Sequence, residues 1–132
     1  MLQAYHQHQA ERAEQDIPPL ALNADQTAEL IKLLKNPPAD ADADELKYLL
    51  TQRVPPGVDQ AAYVKAAFLA DVAKGEAECP LITRVEAVEI LGTMMGGYNV
   101  DPLIAVLDDP IVGEAAVAAL SRLVMVYDCL LY

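Results

Sequence analysis

Three glycines, Gly92, Gly96 and Gly97, stand between two apolar stretches in GTMMGGYNVDPLIAVLDDP. A glycine-rich turn can wrap a phosphate with its backbone N–H groups, but the known loops have fixed spacings. One needs GxxxxGK followed by Ser or Thr, and the other needs GxGxxG after a strand. Neither spacing is present, no lysine follows, and the preceding segment reads as helix, so these glycines are expected to form a corner between helices. His6 and His8 lie two residues apart, which puts them on different sides of a helix and makes shared metal ligation awkward. They read as solvent-exposed side chains without a chemical role. Asp40, Asp42 and Asp44 alternate as in a calcium loop, yet Glu45 and Thr51 occupy the places where such a loop needs Gly and a bidentate Glu. That run reads as a solvated acidic linker. Cys79 and Cys129 form no CxxC pair, so neither a disulfide framework nor a zinc site can be argued, and nothing basic beside Cys79 activates its thiol.

The expected site list therefore holds no catalytic residue, no cofactor-binding residue and no metal ligand, and attention moves to the elements. The chain has 132 residues, 54% of them hydrophobic, with one Phe and no Trp. A core built mainly from Ala, Leu, Val and Ile favours closely packed helices over a sheet, within one domain. Twenty acidic against nine basic side chains leave a formal charge of −11. That charge repels phosphate backbones and anionic lipids, so a nucleic-acid partner is not expected for this chain alone. No signal peptide and no membrane span are read, and a reduced, cytoplasmic protein is the expectation.

Helix punctuation divides the chain into about six or seven short helices. A mostly polar surface helix covers Leu2 to Glu14 and ends at Ile17-Pro18-Pro19-Leu20. From Asp25, Leu30, Ile31 and Leu34 share one face, and Pro37 and Pro38 stop that helix. Leu46, Leu49 and Leu50 repeat the spacing in ELKYLLTQRV before the rigid VPPGVD turn. Asp59 caps QAAYVKAAFLADVAK, whose apolar residues run round most of its surface and predict a central position, with Gly75 just past its end. Thr83 and Glu86 have capping-box spacing ahead of Val88, Leu91 and Met95. Asp101 and Pro102 have cap and first-turn character for a helix burying Leu103, Ile104 and Leu107. The last helix is expected to place Ala116, Val117, Leu120, Leu123, Val124 and Tyr127 on one face.

DPLIAVLDDPIVGEAAVAALSRL is similar to a HEAT repeat, in which a helix pair buries its apolar faces only by stacking on neighbours. The fold class is therefore all-α, an irregular HEAT-like stack of antiparallel helix pairs over residues 17–132, preceded by the surface helix at 1–16. Three blocks carry a closer resemblance: IPPLALNADQTAELIKLLKNPPA, LLTQRVPPGVDQAAYVKAAFLADVAKGEAECPLIT and AVEILGTMMGGYNVDPLIAVLDD. Through them the chain resembles the N-terminal HEAT-like domain of bacterial aconitase B. The resemblance implies a protein-interaction module that helps shape a tunnel to the catalytic domains, takes part in dimerisation and is linked to a regulatory role with RNA. It also implies a [4Fe–4S] cluster held by three cysteines in the catalytic domains, not in this chain, which has two cysteines. A protein partner or self-association is expected, without a membrane. The corner Gly96, Gly97, Tyr98, Asn99 and Asp101 is the candidate contact site.

Overall fold

A computed structural model describes residues 2–55 and 57–123. Among them the chain forms α1 (Leu2–Glu14), α2 (Ala24–Lys35), α3 (Ala43–Tyr48), α4 (Gln60–Lys74), α5 (Arg84–Leu91), α6 (Val100–Ala105) and α7 (Gly113–Ser121), with no strand. The all-α class and the count of seven agree with the sequence expectation. Helix α4 packs chiefly on α5 and α2, α5 also packs on α7, and α6 and α7 pack on each other.

Local signals explain most boundaries. Asn23 accepts from the Gln26 N–H while the Gln26 side chain accepts from the Asn23 N–H, a reciprocal box that fixes the start of α2. The start therefore lies ahead of Asp25, which sits in the first turn. Asp42 of the acidic linker accepts from the Asp44 and Glu45 N–H groups and starts α3. Asp59 accepts from Ala61 N at 2.8 Å at the head of α4, and Gly75, at φ 79°, closes it in the left-handed region that favours glycine.

The segment read as one helix from Glu45 to Val54 divides, because α3 ends at Tyr48 and Leu49–Arg53 form a π-helical turn. Leu46, Leu49 and Leu50 are nonetheless all buried. Thr83 accepts from the Glu86 N–H as expected, and the Glu86 carboxylate accepts from Thr83 Oγ1 at 3.4 Å through one oxygen while the other pairs with Lys47 at 2.9 Å. The α1 bounds agree with the expectation, although the helix is less superficial than its polarity suggests. Tyr5 is buried, and half-buried His8 accepts from Leu20 N at 3.0 Å. His6 is exposed and pairs with Glu45.

Four apolar assignments need correction. Met95, Ile104, Leu107 and Val117 are exposed. Helix α5 ends at Leu91 and α6 at Ala105, so Met95 and Leu107 fall beyond the turns that would have carried them inward. Ile104 and Val117 lie on helices that bury only one narrow side, through Val100 and Leu103 in α6 and through Gly113, Ala116 and Ala119 in α7. Val124 and Tyr127 lie outside the described residues.

Arg84 ties three elements together. Its Nε donates to Ala73 O at 3.0 Å, and its guanidinium pairs with Asp109, which also accepts from Ile111 N at 2.8 Å and Val112 N at 3.3 Å. The Ile111 N–H first, and then Arg84, hold the Asp109 carboxyl below its usual value of 3.8. A carboxyl with a depressed folded-state pKa stabilises the fold above its unfolded value and loses that contribution as pH falls through the folded one. Urea unfolding followed from about pH 6 to about pH 3 should therefore show a decline in stability, and Asp109→Asn should flatten part of it.

Candidate functional site

The glycine corner meets another turn directly. A Cβ placed on Gly96 would lie 2.0 Å from Gly57 O and 2.9 Å from Val58 N, so only glycine permits the two backbones to approach this closely. Gly97, at φ 92°, reverses the chain. Tyr98 then reaches over the junction, where its hydroxyl donates to Val58 O at 3.2 Å and its ring meets Tyr63 of α4 edge-on at 5.4 Å. The VPPGVD turn and the GGYN corner, 40 residues apart at Val58 and Tyr98, are thus two halves of one joint.

Asn99 occupies the cap position of α6 but makes no side-chain cap there. It is 1% exposed, and its Nδ2 donates to Leu91 O at 2.6 Å and Met94 O at 3.1 Å, satisfying carbonyls at the end of α5. Asp101 and Pro102, expected to begin α6, lie inside its first turn. Of the five candidate corner residues, Gly96 and Asn99 are buried, Gly97 and Tyr98 are half-buried and Asp101 is exposed. Tyr63, Tyr98, Gly97, Asp101 and Pro102 border a surface cleft of about 390 Å³. The accessible part of the corner is therefore that cleft.

A second cavity, of about 530 Å³, lies between the π-helical turn and α5. Thr51, Gln52 and Val54 form one wall, Glu89, Ile90 and Thr93 the other, and Lys65 of α4 borders it from the core. Lys65 is 1% exposed, and among the described residues its ammonium has no ion-pair or hydrogen-bond partner. Burial without a counter-charge pushes its pKa down from 10.5 to about 8.

The other chemical candidates are structural. Cys79 is half-buried and donates to Leu34 O at 3.3 Å, and Cys129 lies outside the described residues. Among the described residues no group of three or more His, Cys, Asp or Glu side chains is placed to hold a metal ion, and no helix is long and apolar enough to cross a membrane.

Residues 4–131 match the family described as Aconitate B N-terminal domain. The chain belongs to this family. It is 58% identical over 130 residues to aconitate hydratase B of Synechocystis, and 56% and 52% identical over 128 residues to the proteins of that name from Escherichia coli and Pseudomonas aeruginosa. Each match covers 97% of this chain and 15% of the relative. The joint between Gly57 and Gly96 is formed by two of the blocks that carried the resemblance, so their distinctive residues are explained by a backbone contact in this Aconitate B N-terminal domain.

Lys65 was the residue that sequence reasoning passed over. The available signal was a lone lysine flanked by Ala61, Ala62, Val64, Ala66 and Phe68 on a helix read as central. A lysine at such a place is expected to extend its charge to bulk water, and the packing of α4 against α2 and α5 instead leaves it at the edge of this cavity.

Two outcomes follow from this geometry. Gly96→Ala should lower the unfolding free energy by about 1–3 kcal/mol, read as a reduced urea midpoint, because the Gly57 backbone must move aside. Lys65 acts with the same sign as Asp109, in a more alkaline window, because its folded-state pKa is also lowered. The folded state releases this proton first, so stability should rise with pH between about 8 and 10.5 by up to about 3 kcal/mol. Lys65→Met should show no such rise and should be more stable than the parent at neutral pH, with Glu89 the remaining charged side chain of that cavity.

Proposed function

We propose that this chain is a non-catalytic contact domain of an aconitate hydratase, making protein–protein contacts that support dimerisation and shape access to catalytic domains elsewhere in such a protein. The observation that carries this reading is the set of large apolar side chains left uncovered around the last described helices. Ile111 is 62% and Val117 57% exposed, and Met95, Ile104 and Leu107 are exposed as well. Exposed apolar side chains on successive elements supply the kind of surface that meets another protein. The length relation supports the same reading, since the chain spans 15% of the hydratases it matches. The cleft beside Tyr63 and Tyr98 offers a second, more polar contact region.

Regulation through RNA is the alternative that the family resemblance raised, and the net charge of −11 opposes it.

Sedimentation equilibrium of the chain at tens of micromolar should show self-association. The double variant Ile111→Glu, Val117→Glu should be monomeric with unchanged helical circular dichroism. A parent chain that stays monomeric, or a variant that associates equally well, would overturn this account of the apolar surface. Citrate turnover by the isolated chain after iron–sulfur reconstitution would overturn the non-catalytic role. RNA binding at low salt that weakens steeply with added salt would favour the alternative.

A further inference from the structure

An amine acts as a nucleophile only when its nitrogen is unprotonated, and an ordinary surface lysine almost never is at neutral pH. Lys65 differs from the other lysines in its surroundings. Lys32, Lys35 and Lys74 are exposed, and Lys47 is paired with Glu86 at 2.9 Å, whereas Lys65 is buried, has no partner among the described residues and borders an open cavity. The cavity has room for more than the lysine already there, and Val54 and Ile90 supply apolar wall.

The two threonines sharpen the chemistry. Thr51 Oγ1 donates to Lys47 O at 2.9 Å and Thr93 Oγ1 donates to Ile90 O at 2.6 Å. Each hydroxyl proton is thereby engaged, so what these oxygens offer the cavity is acceptor lone pairs. An ammonium buried here carries a desolvation cost, while a neutral amide N–H could use the same acceptors at far lower cost.

We propose that Lys65 is a preferred site of Nε-acylation by small activated acyl donors, acyl phosphates or acyl thioesters, with the acyl group lodging in the cavity between the π-helical turn and α5. The nitrogen lone pair attacks the acyl carbonyl carbon and a C–N bond forms. The C–O bond to phosphate, or the C–S bond to the thiol, breaks. The proton lost from nitrogen is taken up by the departing phosphate or thiolate, and nothing is oxidised or reduced. Modification converts a buried cation into a neutral amide, so the product should be more stable than the substrate.

The test is acetylation of the folded chain by acetyl phosphate at about pH 8, with the occupancy of all five lysines followed over time by peptide mass spectrometry. About half of Lys65 is then neutral, against less than about one hundredth of an ordinary lysine. A lower-pKa amine is intrinsically the weaker nucleophile, which leaves an expected advantage of roughly tenfold in rate over Lys32, Lys35 and Lys74. In concentrated urea that advantage should disappear, since it depends on the fold. Acetylated chains should also unfold at higher urea than unmodified ones at neutral pH, and Lys65→Arg should lose that gain. A Lys65 acetylated no faster than the exposed lysines in the folded protein would overturn the proposal.

Discussion

Nearly every side of α4 has to be buried, and the rest of the molecule is arranged to accomplish that. Nine of its fifteen residues are inaccessible, from Ala61 through Ala73. Alanines at 61, 62, 66, 70 and 73 keep the helix narrow enough for α2 and α5 to approach, while Phe68, Leu69 and Val72 supply the bulk between them. Van der Waals packing of this density leaves little tolerance for a change in volume. The flanking turns are correspondingly rigid: Asp59 fixes where the helix begins and Gly75 where it stops.

The same enclosure produces both regions of chemical interest. Because α4 is held on several sides, the turn entering it must pass close to the corner after α5, and glycine at 96 is what allows that passage. Tyr63, on the outer side of α4, then meets Tyr98 and forms the wall of a cleft. On an inner side, Lys65 is enclosed with its charge, beside the widened π-helical turn. A buried cation without a counter-ion lowers stability, and such groups are tolerated most often where they serve a purpose.

The two proposals rest on separate parts of the fold: the one for protein contact on the exposed apolar side chains around α6 and α7, and the one for acylation on the cavity at Lys65. A change in charge at Lys65 would act on the stability of α4, and through α4 on the elements packed against it. That coupling needs no motion of the backbone, since the gain comes from relieving desolvation.

Helix identity was legible in the sequence because it depends on local chemistry. The caps at Asp59 and Thr83, the proline stops and the stripes through Leu30, Leu34, Leu46, Leu49 and Leu50 act within a turn or two of themselves. The family was legible too, in the VPPGVD and GGYN turns. What these turns do for one another was not, because the contact between Gly57 and Gly96 joins backbones 39 residues apart. Asn99 illustrates the same division: the sequence placed it in the candidate contact corner, and the packing turned its side chain inward to satisfy carbonyls at the end of α5. The burial of Lys65 and the exposure of Ile104 and Val117 were likewise settled by which faces the neighbours cover. A residue's type sets what burial would cost it, and only the tertiary arrangement decides whether it is buried.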